Sequence, residues 1–219
     1  MEDVDFDRAL IGSAFAEAAR TGWAGLSVAS AARAADLPMD RARQRFPTRG
    51  SILRRLGQLA DRYALAQSAQ EGQPRELLFD LLMSRFESLQ PYRHGIQALL
   101  SALPGDPAAA LMLADATRRS MGWMLEAAGI PATGLPGALR TQGLLAVWLY
   151  TLRAWQRDES PDLAGTMAAL DRALARAEQA ARFLPPGRPV GEATGPKPFP
   201  EPTIPEPEAP ARDPDTPDI

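Results

Sequence analysis

The sequence predicts an all-α protein, and three observations carry that reading. Apolar residues recur three and four positions apart through most of the first 184 residues, which is the period of one helix face. No run of alternating β-branched residues occurs, so strands are not expected. Glycine and proline gather between the periodic segments, at GWAG (22–25), Pro38, Pro47, Pro74, Pro91, PGDP (104–107), GIPATGLPG (129–137) and Ser160–Pro161. There they separate helices and do not break them internally.

A first helix is expected over about 5–20, with Phe6, Leu10, Ala14, Phe15 and Ala18 on one face. The GWAG break ends it through glycine. Ser27 caps a second helix over 28–34. After the turn Ala35–Asp36–Leu37, Pro38 suits the first position of a third helix that ends near Phe46. Pro47 then breaks the chain, Thr48 caps, and a long fourth helix runs to about Gln70. Five more are placed at about 75–89, 91–103, 107–128, 137–157 and 162–184. The eighth repeats Leu144, Val147, Trp148, Thr151, Leu152 and Trp155, and the ninth Leu163, Met167, Leu170, Leu174, Ala177 and Ala181. Two such stripes pack either within one chain or against their copies in a homodimer with C2 symmetry.

Composition narrows the function. With no cysteine and one histidine, His94, neither a disulfide framework nor a Cys/His metal site is available. His94 follows Pro91 in the first turns of its helix and reads as a surface or capping residue. No GxSxG elbow and no glycine-rich phosphate loop occur, so an enzyme is not expected, nor is a cofactor. The N-terminus MEDVDFDRAL has no apolar run and no uncharged apolar stretch of membrane-spanning length follows, so the expected location is the cytoplasm. The segment 185–219 holds twelve of the 21 prolines, with three positive against seven negative residues. That composition buries too little apolar surface to order itself, and disorder is expected. From Arg33 to Arg62 eight arginines face only Asp36, Asp40 and Asp61. Such a basic block fits a polyanion partner; a solvated arginine-rich helix pair is the plainer reading of the same residues.

Two short helices joined by a three-residue turn, then a proline-broken start to a long helix, match a helix-turn-helix. The tract SVASAARAADLPMDRARQRFPTRGSIL from Ser27 resembles the TetR family of transcriptional regulators. The resemblance covers roughly 8–58 and implies a TetR-like fold. That fold has a three-helix DNA-binding head (5–58), a five- to six-helix ligand-binding and dimerising body (59–184), and here the proline-rich tail (185–219). It implies that Ser27 contacts a phosphate, that Ala31, Ala32 and Ala35 take small inward positions, that Phe46 closes the recognition helix, and that Arg49 contacts backbone phosphate. Asp36 stands where the family's turn has glycine, Pro38 where a serine caps, and Arg43 where a tyrosine touches phosphate.

At about 100° per residue, Met39, Ala42 and Phe46 share one side of the third helix, taken as the buried face. The other side presents Asp40, Arg41 and Gln44, flanked by Arg43 and Arg45. Arginine pairs with guanine edges and glutamine with adenine, while Arg43, Arg45 and Arg49 would set orientation on phosphates. The expected partner is operator DNA. In the body, Met83, Phe86, Leu99, Met112, Trp123, Met124 and Trp148, with Ser120 as a polar group, are the expected lining for an unidentified apolar small molecule or lipid. Each of them also reads as ordinary core. Finally, LLFDLLMSRFESLQPYRH (77–94) and WQRDESPDLAGTMAALDRAL (155–174) are similar to the TetR-fold accessory proteins of ubiquinone biosynthesis. That likeness implies isoprenoid-lipid binding without DNA reading. Its DESPD stretch has a local reason too, since Ser160 or Asp162 can cap the last helix and Pro161 fits the first turn.

Overall fold

The computed structural model describes residues 2–67 and 71–182. The end of the fourth helix expected at Gln70, and the segment 185–219, lie outside them. Among the described residues there are nine α-helices and no strand. They are α1 (Asp3–Thr21), α2 (Val28–Ala34), α3 (Met39–Arg45), α4 (Arg49–Gln67), α5 (Pro74–Leu89), α6 (Arg93–Ala102), α7 (Pro107–Ala127), α8 (Gly134–Trp155) and α9 (Ala164–Ala181). Short 3₁₀ turns at Trp23–Gly25, Gln90–Tyr92 and Leu103–Gly105 carry three of the connections.

Local chemistry accounts for most boundaries. Ser27 accepts from the Ser30 amide at 2.9 Å while Ser30 Oγ accepts from the Ser27 amide at 3.1 Å, a reciprocal capping pair. Asp106 accepts from the Ala109 amide at 3.0 Å, with Pro107 in the first turn of α7. Gly22 closes α1 at φ 82°, a left-handed geometry that glycine adopts without a Cβ penalty.

α1 packs on α2 and α6, α4 on α5 and α7, and α8 on α7 and α9. The core is continuous from Phe6, Leu10 and Phe15 of α1 to Phe86 of α5, Trp148 and Trp155 of α8 and Leu170 of α9. Phe86 stacks on Trp148 with ring centroids 4.3 Å apart and tilts against Trp155 at 5.8 Å, a favourable aromatic arrangement. Contacts from Gly50 to Met112 and from Asp61 to Ser120 show that α4 and α7 run alongside each other in the same sense. α4 therefore packs alongside α5 and α7 while also touching α1.

The apolar stripes of α8 and α9 turn inward. Leu144, Val147, Trp148, Thr151 and Trp155 are buried within the chain, as are Leu163, Leu170 and Leu174. A different set faces solvent on α8, namely Leu135, Leu139, Leu149 and Tyr150.

The start of α9 is held chiefly by Asp158, which the sequence places with Glu159 and Asp162 among the carboxylates at this helix start. Ser160 Oγ and Asp162 Oδ1 do accept from the Ala164 amide, at 3.0 and 3.3 Å. The stronger cap is Asp158, whose Oδ2 accepts from the Thr166 amide at 2.6 Å and from Thr166 Oγ1 at 2.7 Å. Its Oδ1 accepts from the amide and hydroxyl of Ser160. Burial alone would raise the Asp158 carboxyl, but the bonds from Ser160 and Thr166 outweigh it and hold the group at about 2. A depressed carboxylate stabilises the fold above its unfolded value, near 3.9, and that contribution fades as pH falls toward 2. Asp158→Ala is expected to cost about 1–2 kcal/mol at pH 7, with the gap to the parent protein shrinking between about pH 4 and pH 2. Urea unfolding at pH 7, 4 and 2.5 checks this, and a gap that stays constant with pH would refute it.

Candidate nucleic-acid interface

The helix-turn-helix is built from α2, the turn Ala35–Leu37 and α3. Asp36 occupies φ 51°, a left-handed position that aspartate tolerates better than most side chains. This is how the turn survives without glycine. Pro38 sits at the N-cap position, just outside α3, one residue earlier than the sequence reading placed it.

Two expectations about α3 need correction. Met39 is not buried beside Ala42 and Phe46; it is 41% exposed. Arg41 and Arg45, expected outward or on the flank, turn toward α1. Arg41 Nη2 donates to Asp3 Oδ1 at 2.6 Å, with its guanidinium 4.6 Å over the Phe6 ring. Arg45 Nη1 reaches Asp3 Oδ2 at 2.8 Å, and its Nε and Nη2 grip both oxygens of Asp7 at 2.7 and 2.8 Å. Arg55 of α4 adds a 2.5 Å bond to the same Asp7. Asp7 is fully buried; burial pushes its carboxyl up, and the bonds from Arg45 and Arg55 more than reverse that. The inward set is thus Ala42 and Phe46 with the stems of two arginines, because α1 offers carboxylates there and Met39 has no comparable partner.

What α3 leaves exposed is Met39, Asp40, Arg43 and Gln44. Ser27 is exposed at the start of α2, with its hydroxyl engaged in the capping pair. Arg49 is braced, its Nη1 donating to the carbonyls of Trp23 and Ala24 at 3.1 and 3.2 Å. Beside the exposed strip lies a groove of about 660 Å³ between α1, α3 and α4, lined by Asp3, Asp7, Arg41, Gln44, Arg45, Arg54, Arg55 and Gln58 among others. A second open groove, of about 820 Å³, separates α1 from α2 and includes Gly12, Ser13, Glu17, Arg20 and Arg33.

Neither groove contains any of the eight residues expected to line a ligand site. Met83, Phe86, Leu99, Met124 and Trp148 are together in the core. Met112 is half-buried against Gly50. Trp123, next to the buried Met124, instead faces solvent at 68% exposure.

Ser120 Oγ donates to Asp61 Oδ2 at 2.6 Å. The other Asp61 oxygen contacts the guanidinium of Arg85, which is buried and lies 5.0 Å over the Trp148 ring. Burial draws Arg85 down to about 10, which leaves it protonated at neutral pH. This cluster ties α4, α5, α7 and α8 together. One hint of it is visible in the sequence, where Arg85 stands amid the apolar run LLFDLLMSRFESL.

The sequence matches no family model and no curated protein. Solved structures do match. A TetR transcriptional regulator from Nitrosomonas europaea is similar at a TM-score of 0.65 and 23% identity, over 80% of this chain and 99% of that one. A TetR-family regulator from Streptomyces coelicolor is similar at 0.55 and 16% identity, over 83% of each chain. A transcriptional regulator from Rhodococcus sp. Rha1 is similar at 0.53 and 20% identity, over 82% of this chain and 99% of that one. Together with the α2–turn–α3 geometry, these likenesses show that the chain has the fold of the TetR transcriptional regulators.

Proposed function

We propose that this protein is a ligand-responsive transcriptional regulator that binds operator DNA as a homodimer. The observation that carries the reading is the helix-turn-helix, with Arg43 and Gln44 exposed on the outer face of α3 in a fold shared with regulators. The expected base-reading pair therefore shifts from Arg41 and Gln44 to Arg43 and Gln44. Asp40 beside them would accept from a cytosine amino group or keep phosphates away. Ser27 and Arg49 flank this strip as candidate backbone contacts.

The apolar residues that α8 leaves exposed, Leu135, Leu139, Leu149 and Tyr150, support dimerisation through the last two helices. Gly143 and Ala146 on the same exposed side permit close approach of a copy in an isologous contact. The buried Met83, Phe86, Leu99, Met124 and Trp148 support an apolar small molecule or lipid as effector, admitted when the body opens. Such a ligand acts by linkage, favouring one spacing of the two heads over the other. Operator half-sites would lie about one helical turn apart.

The test is selection of genomic fragments by the purified protein at about 150 mM salt, followed by sequencing. A short palindrome is expected. Gln44→Ala and Arg43→Ala are each expected to relax preference at one or two base positions, at about 1–3 kcal/mol per lost contact. Uniform weakening across all sequences would remove both from the reading role.

Two observations favour a second reading. Arg41 and Arg45 are held by Asp3 and Asp7, which thins the basic face, and the Asp158–Thr166 cap lies within the segment resembling the ubiquinone accessory proteins. Under that reading the chain binds an isoprenoid lipid and ignores DNA. Co-purification of such a lipid, with no fragment enriched, would favour it.

A further inference from the structure

We propose that the groove between α1, α3 and α4 is a binding site for a DNA backbone phosphodiester, and that in the free protein the carboxylate of Asp3 fills its anion position. This rests on the DNA-binding reading above and adds a site and a built-in competitor to it. Asp3 presents one oxygen to Arg41 at 2.6 Å and the other to Arg45 at 2.8 Å. Two guanidinium groups converging on two oxygens of one anion is the geometry that also grips a phosphate.

Asp3 is a weakly anchored occupant. It is 63% exposed, in the first turn of α1, whereas Asp7 at the floor of the same groove is fully buried between Arg45 and Arg55. The floor is thus structural and the rim exchangeable. Counting the lining, Arg41, Arg45, Arg54 and Arg55 face Asp3 and Asp7, so release of Asp3 would raise the groove from +2 to +3. Arg54, Gln44 and Gln58 line the same space and are exposed, supplying further donors to a phosphate. Gln44 belongs also to the outer face of α3, so the groove adjoins the strip proposed to read bases. Exchange of one anion for another keeps both arginines paired, and Asp3 regains its hydration on leaving. Neither side of the exchange strands a buried charge.

The experiment compares Asp3→Asn with Asp5→Asn. Both remove one negative charge from the same helical turn, and Asp5 is exposed with no side-chain partner among the described residues. The probes are immobilised heparin and the fragments retained in the selection described above. Asp3→Asn is expected to elute from heparin at higher salt than Asp5→Asn. It is also expected to bind DNA about fivefold more tightly than Asp5→Asn, the upper range for freeing an exposed pair. Adding Arg41→Ala to Asp3→Asn should erase most of the difference. Equal elution of the two single variants would overturn the site. If neither the parent nor any variant retains DNA, the proposed function fails, and the heparin comparison still decides whether the groove is an anion site.

Discussion

Arg85→Ala is expected to lower the unfolding free energy by about 3 kcal/mol. The guanidinium is buried, faces Asp61 and covers Trp148. Removing it leaves Asp61 with Ser120 as its remaining side-chain partner and opens a space against the indole. Breaking a buried pair from one side costs about 3–5 kcal/mol. The Asp61 side chain is 24% exposed, which places the expected value at the lower end. The double variant Asp61→Leu/Arg85→Met should recover most of the loss, since an apolar pair of similar volume avoids desolvating two charges. Urea unfolding at constant m-value separates the cases. A single variant within 1 kcal/mol of the parent would show that the pair holds nothing.

Gly95→Ala is expected to cost about 3 kcal/mol, at the top of the range for overpacking. A Cβ placed there would lie 2.3 Å from the Phe15 carbonyl oxygen and 2.8 Å from two further backbone atoms of Phe15. A side chain could rotate away, but backbone cannot, so α6 would have to lift from α1. The control is Gly122→Ala in α7, where nothing lies within 4 Å of the added carbon. There the better helix propensity of alanine should stabilise by up to about 1 kcal/mol. Thermal melting of both variants checks the contrast, and a Gly95 variant as stable as its control would contradict the close crossing.

The helices were legible because their signals are local. Ser27 and the prolines at 74 and 107 act within a turn or so of where they stand, and the structure uses them. The facing of α3 was not legible, because it is decided by Asp3 and Asp7, some 38 residues away in sequence. A two-turn helix offers too few positions for periodicity to settle which side is buried. Asp158 reads in the sequence as a carboxylate at the helix start, but its bond to Thr166 was not legible, because it reaches eight residues ahead, beyond the usual capping register. The stripes of α8 and α9 were read correctly as apolar, but a stripe does not state whether its partner is the same chain. Burial settles that for Trp148 and Trp155, and it exposes Trp123, a residue whose helical phase alone gave no warning.

The arrangement of the four tryptophans has an optical consequence. Trp23, Trp148 and Trp155 are enclosed by protein, and Trp123 stands in water. Intrinsic fluorescence therefore divides into a shielded population of three and a solvent-facing emitter on α7, so an aqueous quencher addresses that emitter selectively. The chain carries its own surface chromophore, and contact over that part of α7 can be followed by light without attaching a dye.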